Sequence, residues 1–178
     1  MVKETHTKGS YIFSLLALPF VLDRYLDNYE FIYKIILIFV YVYFSYIGSL
    51  APDIDMKNSY ISKVCPLFYK FFGFKLRHRG LTHSLLFLYF LGNILNLLII
   101  YTENNIVFVL LSSGFFIGYV SHLVLDLITK EGIEIFYPVT INFSLLPIKT
   151  SSKTEKNLCK LLHFIYIFLL GYRFYILI

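Results

Sequence analysis

Five long apolar stretches restrict this chain to one kind of architecture, a bundle of helices in a membrane. They cover residues 10–22, 31–50, 85–101, 106–127 and 161–178. A helix needs about 20 apolar residues to cross a hydrocarbon core about 30 Å thick. The first stretch is shorter, so it spans only if helix continues back through His6 and forward toward Tyr25. We predict an all-α polytopic membrane helix bundle of about four to five spans.

The composition excludes other common classes of protein. Hydrophobic residues make up 58% and charged residues 15% of the chain, whereas soluble domains carry about 45–50% and about 25%. Two cysteines, with no Cys-x-x-Cys pair, exclude a disulfide scaffold and a thiol-rich metal site. The length indicates one integral membrane domain over residues 1–178.

Lysine and arginine residues are distributed unequally between the two ends of the predicted spans. Thirteen of the 16 lie at the N-terminus, in the loops after the second and fourth stretches, or at the start of the fifth. The positive-inside rule makes these parts cytoplasmic and places the C-terminus outside. The net charge of +5 therefore reflects membrane topology, and nucleic acid is not expected as a partner.

Two connections between spans mix apolar and basic residues. Segment 61–77 is predicted to be an amphipathic piece in the headgroup layer, because its basic residues alternate with aromatic ones. These residues are Lys63, Phe68, Tyr69, Lys70, Phe71, Phe72, Phe74, Lys75 and Arg77. A basic loop with incidental aromatic residues is the alternative. Segment 130–156 is predicted to lie on the membrane face or to cover a site.

Histidine and aspartate residues that are distant in sequence fall at the cytoplasmic ends of the predicted spans. Ionisable groups are costly in a membrane and mark functional sites there. The potential metal ligands are His6, Asp53, Asp55, His78, His83, His122 and Asp126. Imidazole and carboxylate ligands suit a divalent metal, zinc or manganese in first place, and seven groups are sufficient for one or two ions.

The acidic pair Asp53 and Asp55 follows Pro52. If the chain stays extended there, both carboxylates face the same way and can bind one cation. An isolated Asp-x-Asp pair is otherwise a common turn cap.

The segment 78–84 is denser in polar groups. A bend at Gly80 would bring His78 and His83 together, and either Thr82 or Ser84 can cap the helix that follows. Arg79 can bind a phosphate or a carboxylate. The alternative is a basic anchor whose histidines are interfacial polar groups.

His122 and Asp126 are four residues apart and share a helix face. Both can bind metal, or Asp126 can orient His122, or the two can form a single intrahelical hydrogen bond. His163 lies inside the fifth stretch and is predicted to be a structural histidine bonded to a neighbouring helix.

Taken together, these motifs resemble the YdjM-like bacterial inner-membrane proteins, which are described as membrane-bound metal-dependent hydrolases. The matching residues run from 6 to about 138 and comprise His6 with Gly9, residues 48–55, 78–84 and 118–126, and then Thr129, Gly132 and Pro138. The resemblance implies a bacterial inner-membrane protein of several helices with a metal site at one membrane face.

The expected function is hydrolysis of a membrane-associated, lipid-like ester or phosphoester by metal-activated water. Arg79 would bind an anionic substrate group, and the general base would be a metal-bound carboxylate such as Asp55, or else Glu131 or Glu134. One alternative is a non-catalytic, metal-stabilised membrane protein that docks a cytoplasmic regulator. A divalent-metal transporter ranks lowest, because its ionisable groups would lie near the bilayer midplane.

Overall fold

The apolar stretches fold into helices, as predicted, in a computed structural model that describes residues 1–71, 73 and 76–177. Phe72, Phe74, Lys75 and Ile178 lie outside the described residues, so the predictions that include them are followed only for their neighbours. The described residues form seven α-helices: α1 Lys3–Val21, α2 Phe31–Gly48, α3 Tyr60–Val64, α4 Pro66–Phe71, α5 Leu85–Tyr101, α6 Ile106–Leu127 and α7 Lys153–Leu177. The all-α membrane fold is confirmed.

Three segments of the described chain are long and apolar enough to cross a membrane: Phe31–Asp55, Ile106–Leu127 and Lys153–Ile176. Helix α5 is apolar but has 17 residues, about 25 Å at 1.5 Å per residue. Helix α1 does continue through His6, and a π-helical turn, Leu22–Leu26, extends it past Tyr25. Its bundle-facing side carries buried polar residues, among them Thr5, His6, Ser10 and Ser14.

The tightest helix pair is formed by α2 and α6, and small residues explain it. A Cβ at Gly114 would overlap the carbonyl of Tyr41, and a Cβ at Gly118 would overlap that of Ser45. A Cβ at Gly48 of α2 would likewise overlap the carbonyl of Phe115 on α6. The spacing of Gly114 and Gly118 is the Gly-x-x-x-Gly pattern that lets membrane helices approach backbone to backbone.

Helix α1 packs beside this pair and contributes its polar face to the interior. The Tyr41 hydroxyl donates to the Ser14 carbonyl at 3.1 Å, and Ser45 Oγ donates to the Ser10 carbonyl at 3.3 Å. Further from the site, Leu15, Leu37 and other buried apolar residues form the core between α1, α2 and α6. Five helices thus cross the bundle in alternating directions, because α1, α5 and α7 lead away from one end while α2 and α6 return to it.

Segment 61–77 is folded, over its described part, into the short helices α3 and α4. Leu67 and Phe71 are 70% and 67% exposed there, beside exposed Lys63 and Lys70. This mixture of exposed apolar and basic side chains agrees with the predicted amphipathic segment.

Candidate metal centre

The seven predicted ligands lie at one end of the bundle, where four elements meet. Helix α1 carries His6, a 3-10 turn after α2 (Ala51–Asp55) carries both aspartates, and the segment before α5 carries His78 and His83. His122 and Asp126 lie on the last two turns of α6. Three overlapping groups of donors, each within 4.8 Å, are His6, Asp53 and His122; His83, His122 and Asp126; and Asp53, Asp55 and His78.

The His122 ring is oriented by a backbone carbonyl. Its Nδ1 lies 2.6 Å from the Ser49 carbonyl oxygen, 73 residues away in sequence. Because a carbonyl only accepts, Nδ1 carries the proton and Nε2 presents a lone pair. The ring is fully buried and stacks on that of His6, with centroids 3.7 Å apart.

The His83 ring is oriented in the same way, by a side-chain network. Thr82 Oγ1 donates to Asp55 Oδ2 at 2.8 Å, so its oxygen is free to accept from His83 Nδ1 at 3.0 Å. Asp55 Oδ2 itself lies 3.4 Å from the same Nδ1. The proton of His83 is therefore on Nδ1, and its Nε2 also presents a lone pair.

These two lone pairs face each other. The Nε2 atoms of His83 and His122 are 3.2 Å apart. This distance is close to the separation of about 3.3 Å between two imidazole nitrogens that bind one zinc ion in tetrahedral geometry, each about 2.0–2.1 Å from the ion. Asp126 Oδ2 lies 3.8 Å from both nitrogens, and Asp53 Oδ1 lies 3.9 Å and 3.7 Å from them. Two imidazole nitrogens that present lone pairs and two carboxyl oxygens thus converge, and this set of potential ligands fits a divalent cation.

The two aspartates of the Asp-x-Asp pair have different surroundings. The chain does not stay extended here, which was the condition for both carboxylates to face the same way. Residues 51–55 form a 3-10 turn, in which Pro52 occupies an early position that needs no backbone donor. Neighbours two apart then point in different directions. Asp53 approaches the Nε2 side of His83, and Asp55 approaches its Nδ1 side.

Asp55 is surrounded by donors. Besides Thr82, the Arg79 backbone N–H donates to it at 3.0 Å, and His78 Nδ1 lies 2.9 Å from Oδ1. The hydrogen bond to Asp55 raises the pKa of His78. The His78 side chain is 40% exposed, so it lies at the rim of the cluster. The chain bends at Gly80, as predicted, where φ is −91° and ψ is −116°, and the preceding residue Arg79 also has an unusual φ of +64°. The ring centroids of His78 and His83 are 5.8 Å apart.

Asp126 joins the centre to the other cationic groups. Its Oδ1 lies 2.6 Å from the Met1 amino nitrogen and 3.3 Å from His6 Nε2, and its Oδ2 lies 3.1 Å from Arg79 Nη2. Both ring nitrogens of His6 are buried and, within the described residues, make no hydrogen bond. A buried imidazole that lies 3.3 Å from a carboxylate, with no hydrogen bond at either ring nitrogen among the described residues, is a further indication that a cation belongs here.

Arg79 is held inside the protein. Its Nη1 donates to Thr129 Oγ1 and to the Gly132 carbonyl, both at 3.4 Å, and lies 3.9 Å from Glu131 Oε2. The side chain is 14% exposed, and its buried Nε has no hydrogen-bond partner among the described residues.

The two glutamates that follow α6 differ in exposure. Glu131 is 41% exposed and accepts from Thr150 Oγ1 at 3.2 Å. Glu134 is 1% exposed, pairs with Arg77 Nη2 at 2.5 Å, and reaches the site segment through its backbone N–H, which donates to the Arg79 carbonyl at 3.1 Å.

The roles of some residues that shape the site are not apparent from the sequence. Of the two predicted caps, Ser84 caps α5 by accepting from Phe87 N at 3.1 Å, whereas Thr82 bonds to Asp55 and His83. The position of Thr82 next to His83 in the sequence could have indicated its role. The Ser49 carbonyl belongs to the backbone, so no side chain indicates its role. His163 is exposed on α7, and its ring neighbour in the described chain is Tyr166 of the same helix, not a residue of a neighbouring helix.

Comparison with known proteins agrees with this architecture. The sequence model of a family described as YdjM inner membrane protein matches residues 1–178. The chain is also 38% identical over 111 residues to Uncharacterized protein YvsG of Bacillus subtilis (strain 168). That alignment covers 62% of this chain and 65% of the relative, just under two thirds of the relative's length. No solved structure matches the chain. With the family match extending over the full length, the chain belongs to the YdjM inner membrane protein family.

Proposed function

We propose that this protein is a metal-dependent hydrolase of the inner membrane that cleaves a lipid-like, membrane-associated phosphoester or ester. The observation that carries the proposal is the pair of proton-free Nε2 atoms 3.2 Å apart, flanked by two carboxylates. Two histidines and two carboxylates are typical ligands of zinc or manganese. The description of the YdjM-like proteins as metal-dependent hydrolases supports the same assignment.

His83, His122, Asp53 and Asp126 would hold the first ion. His6 lies in one adjoining group, with Asp53 and His122, and His78 lies in another, with Asp53 and Asp55. Either group would supply a second position that shares Asp53 with the first. A divalent ion held here lowers the pKa of a bound water and polarises the attacked group. Asp55 holds its four donors in place and is better placed to orient His83 than to accept a proton.

The open side of the centre determines where the reactants enter. Asp53 is 18% exposed, whereas His83 and His122 are fully buried. Asp53 and the exposed rim residue His78 therefore lie on the side that water reaches. Glu131 is the exposed carboxylate near Arg79 and is the proposed general base. Arg79 neutralises Asp126, and its guanidinium, which is 14% exposed, is the proposed contact for an anionic substrate group.

The substrate class follows from the position of the centre at the ends of membrane helices. A polar group held in the headgroup layer would meet the metal there, so lipids or lipid-linked phosphoesters are the proposed substrates. Lysine and arginine residues are concentrated at this end, and the positive-inside rule therefore supports a site at the cytoplasmic face.

Metal analysis of detergent-purified protein tests the proposal. We expect one or two equivalents of a first-row divalent metal, a large loss of metal in His122→Ala, and no loss in His163→Ala, the exposed histidine of α7. Removal of the metal by a chelator should abolish turnover of lipid phosphoesters, and zinc or manganese should restore it. A folded wild-type protein that binds no metal would contradict the proposal.

The burial of the centre supports a second candidate, a non-catalytic protein that keeps the metal as a structural staple and docks a cytoplasmic regulator. His83, His122 and Asp126 are at most 1% exposed, as expected of a closed structural site. Chelation would then lower the thermal stability, whereas the loaded protein would cleave none of the esters or phosphoesters.

A further inference from the structure

The connection between α6 and α7 contains an unusual loop, residues 135–148. Its sequence, IFYPVTINFSLLPI, contains no charged residue and no histidine. A loop of this length in water is normally polar, because the exposed segments between helices gain nothing from apolar side chains. The uncharged run therefore needs an explanation that the metal centre does not supply.

Six apolar side chains of this loop are exposed. Leu145 is 70% exposed, and five others are between 38% and 57% exposed. These others are Phe136, Val139, Ile141, Phe143 and Leu146. Such a concentration of exposed apolar side chains marks a surface that contacts a membrane or another protein.

The loop is fixed at the level of the helix ends. The Leu145 N–H donates to the Leu127 carbonyl at the end of α6, at 2.8 Å, and the Leu85 N–H at the start of α5 donates to the Ile135 carbonyl at 2.9 Å. Between these anchors, Ile133 and Phe143 exchange two backbone hydrogen bonds. These hydrogen bonds hold the exposed apolar side chains of the loop at the level of the helix ends on the site side.

Basic residues border the loop on both sides. Lys130 precedes it, Lys149 follows it, and Lys153 begins α7; all three are exposed. Apolar side chains bordered by lysines match the two layers of a leaflet, hydrocarbon below and anionic phosphate above. A soluble protein partner would not require the apolar surface to coincide with the helix ends.

We propose that loop 135–148 inserts its apolar side chains into the leaflet on the site side of the membrane, with the flanking lysines at the level of the phosphates. Glu134, the residue before the loop, donates its backbone N–H to the Arg79 carbonyl. Insertion therefore holds the Arg79 segment beside the headgroup layer. The inference concerns lipid contact alone and does not depend on hydrolysis.

Single tryptophans test it directly, because the natural chain contains none. Leu145→Trp is placed in nanodiscs of phosphatidylglycerol and phosphatidylcholine, with and without bromine on the acyl chains near the headgroup. We expect blue-shifted emission and loss of most of the fluorescence in the brominated lipid. Asn28→Trp, exposed in the polar turn after α1, is the control and should lose little.

Val139→Trp provides a second reporter if the elution profile shows that the first variant does not fold. Val139 is 52% exposed in the wild type. Water-like emission without quenching from a folded variant would overturn the insertion. Emission that shifts only when a soluble protein is added would also overturn it, in favour of a protein-docking surface.

Discussion

Groups outside the centre determine which ring nitrogen carries the proton in His83 and in His122. Ser49 accepts the Nδ1 proton of His122, and Thr82, held by Asp55, accepts that of His83. Both Nε2 atoms are thereby left with lone pairs only 3.2 Å apart, an arrangement that is repulsive unless a cation or a proton lies between them. The hydrogen bonds around the centre thus prepare it for a cation.

Replacement of Asp55 by asparagine tests this preparation. Asp55→Asn keeps the size of the side chain but removes the charge and one of the two acceptor oxygens that hold Thr82, Arg79 and His78. Loss of such an outer partner typically lowers metal affinity about 10–100-fold. The measurement is competition for metal with a chelator of known affinity.

The matched control for this substitution is Asp27→Asn, at an exposed aspartate near the far end of α1. It should bind metal like the wild type. An Asp55→Asn protein with unchanged affinity would show that Asp55 does not orient a ligand.

At the scale of the elements, the position of His122 depends on how closely α6 approaches α2. Gly118 lies one helical turn before His122, and its missing side chain leaves room for the Ser45 carbonyl. The carbonyl of Ser49, one turn further along α2, then reaches His122 Nδ1. The glycine contacts and the metal centre are therefore parts of one helix interface.

Gly118→Ala should separate these two helices. The new methyl group overlaps a backbone oxygen that cannot move aside, so we expect a loss of about 1–3 kcal/mol of stability. Metal content should fall as well, because His122 moves away from Ser49. The measurements are thermal unfolding in detergent and elemental analysis.

Gly171→Ala is the control, since a Cβ there meets nothing within 4 Å. It should leave both the stability and the metal content close to those of the wild type. Equal effects of the two substitutions would indicate a general cost of alanine in membrane helices.

At the scale of the whole molecule, the alternating direction of five helices brings both ends of the metal-binding sequence to one side. The chain begins α1 at the site end, returns there at the end of α2 and again at the end of α6, and leaves it finally along α7. The start of α7 is tied to the start of α1, because the buried Glu155 accepts from the Val2 N–H at 2.7 Å and from Thr5 Oγ1 at 3.2 Å.

Reporter fusions test the orientation of this arrangement. If the basic site end lies in the cytoplasm, a reporter fused after Ile178 lies outside the cell, and one inserted after Thr150 lies in the cytoplasm. Alkaline phosphatase should then be active after Ile178, and a fluorescent protein should be active after Thr150. The readout is the activity of alkaline phosphatase compared with that of a fluorescent protein. A cytoplasmic C-terminus would mean that one of the shorter helices, α1 or α5, does not cross.

The sequence by itself determined the helical membrane architecture and the end of the bundle at which the ionisable residues gather. Both follow from local properties, the length of apolar runs and the position of charged residues along them, and neither needs a distant contact. The shared face of His122 and Asp126 is likewise a matter of helical spacing.

Only the tertiary structure decided what each polar group does. The different surroundings of Asp53 and Asp55, the pairing of Arg79 with Asp126, and the Ser49 carbonyl that orients His122 all depend on contacts between residues far apart in the chain. No local pattern records which nitrogen of an imidazole will find an acceptor 73 residues away. Helix packing at the glycines sets that distance, and with it the proton-free centre.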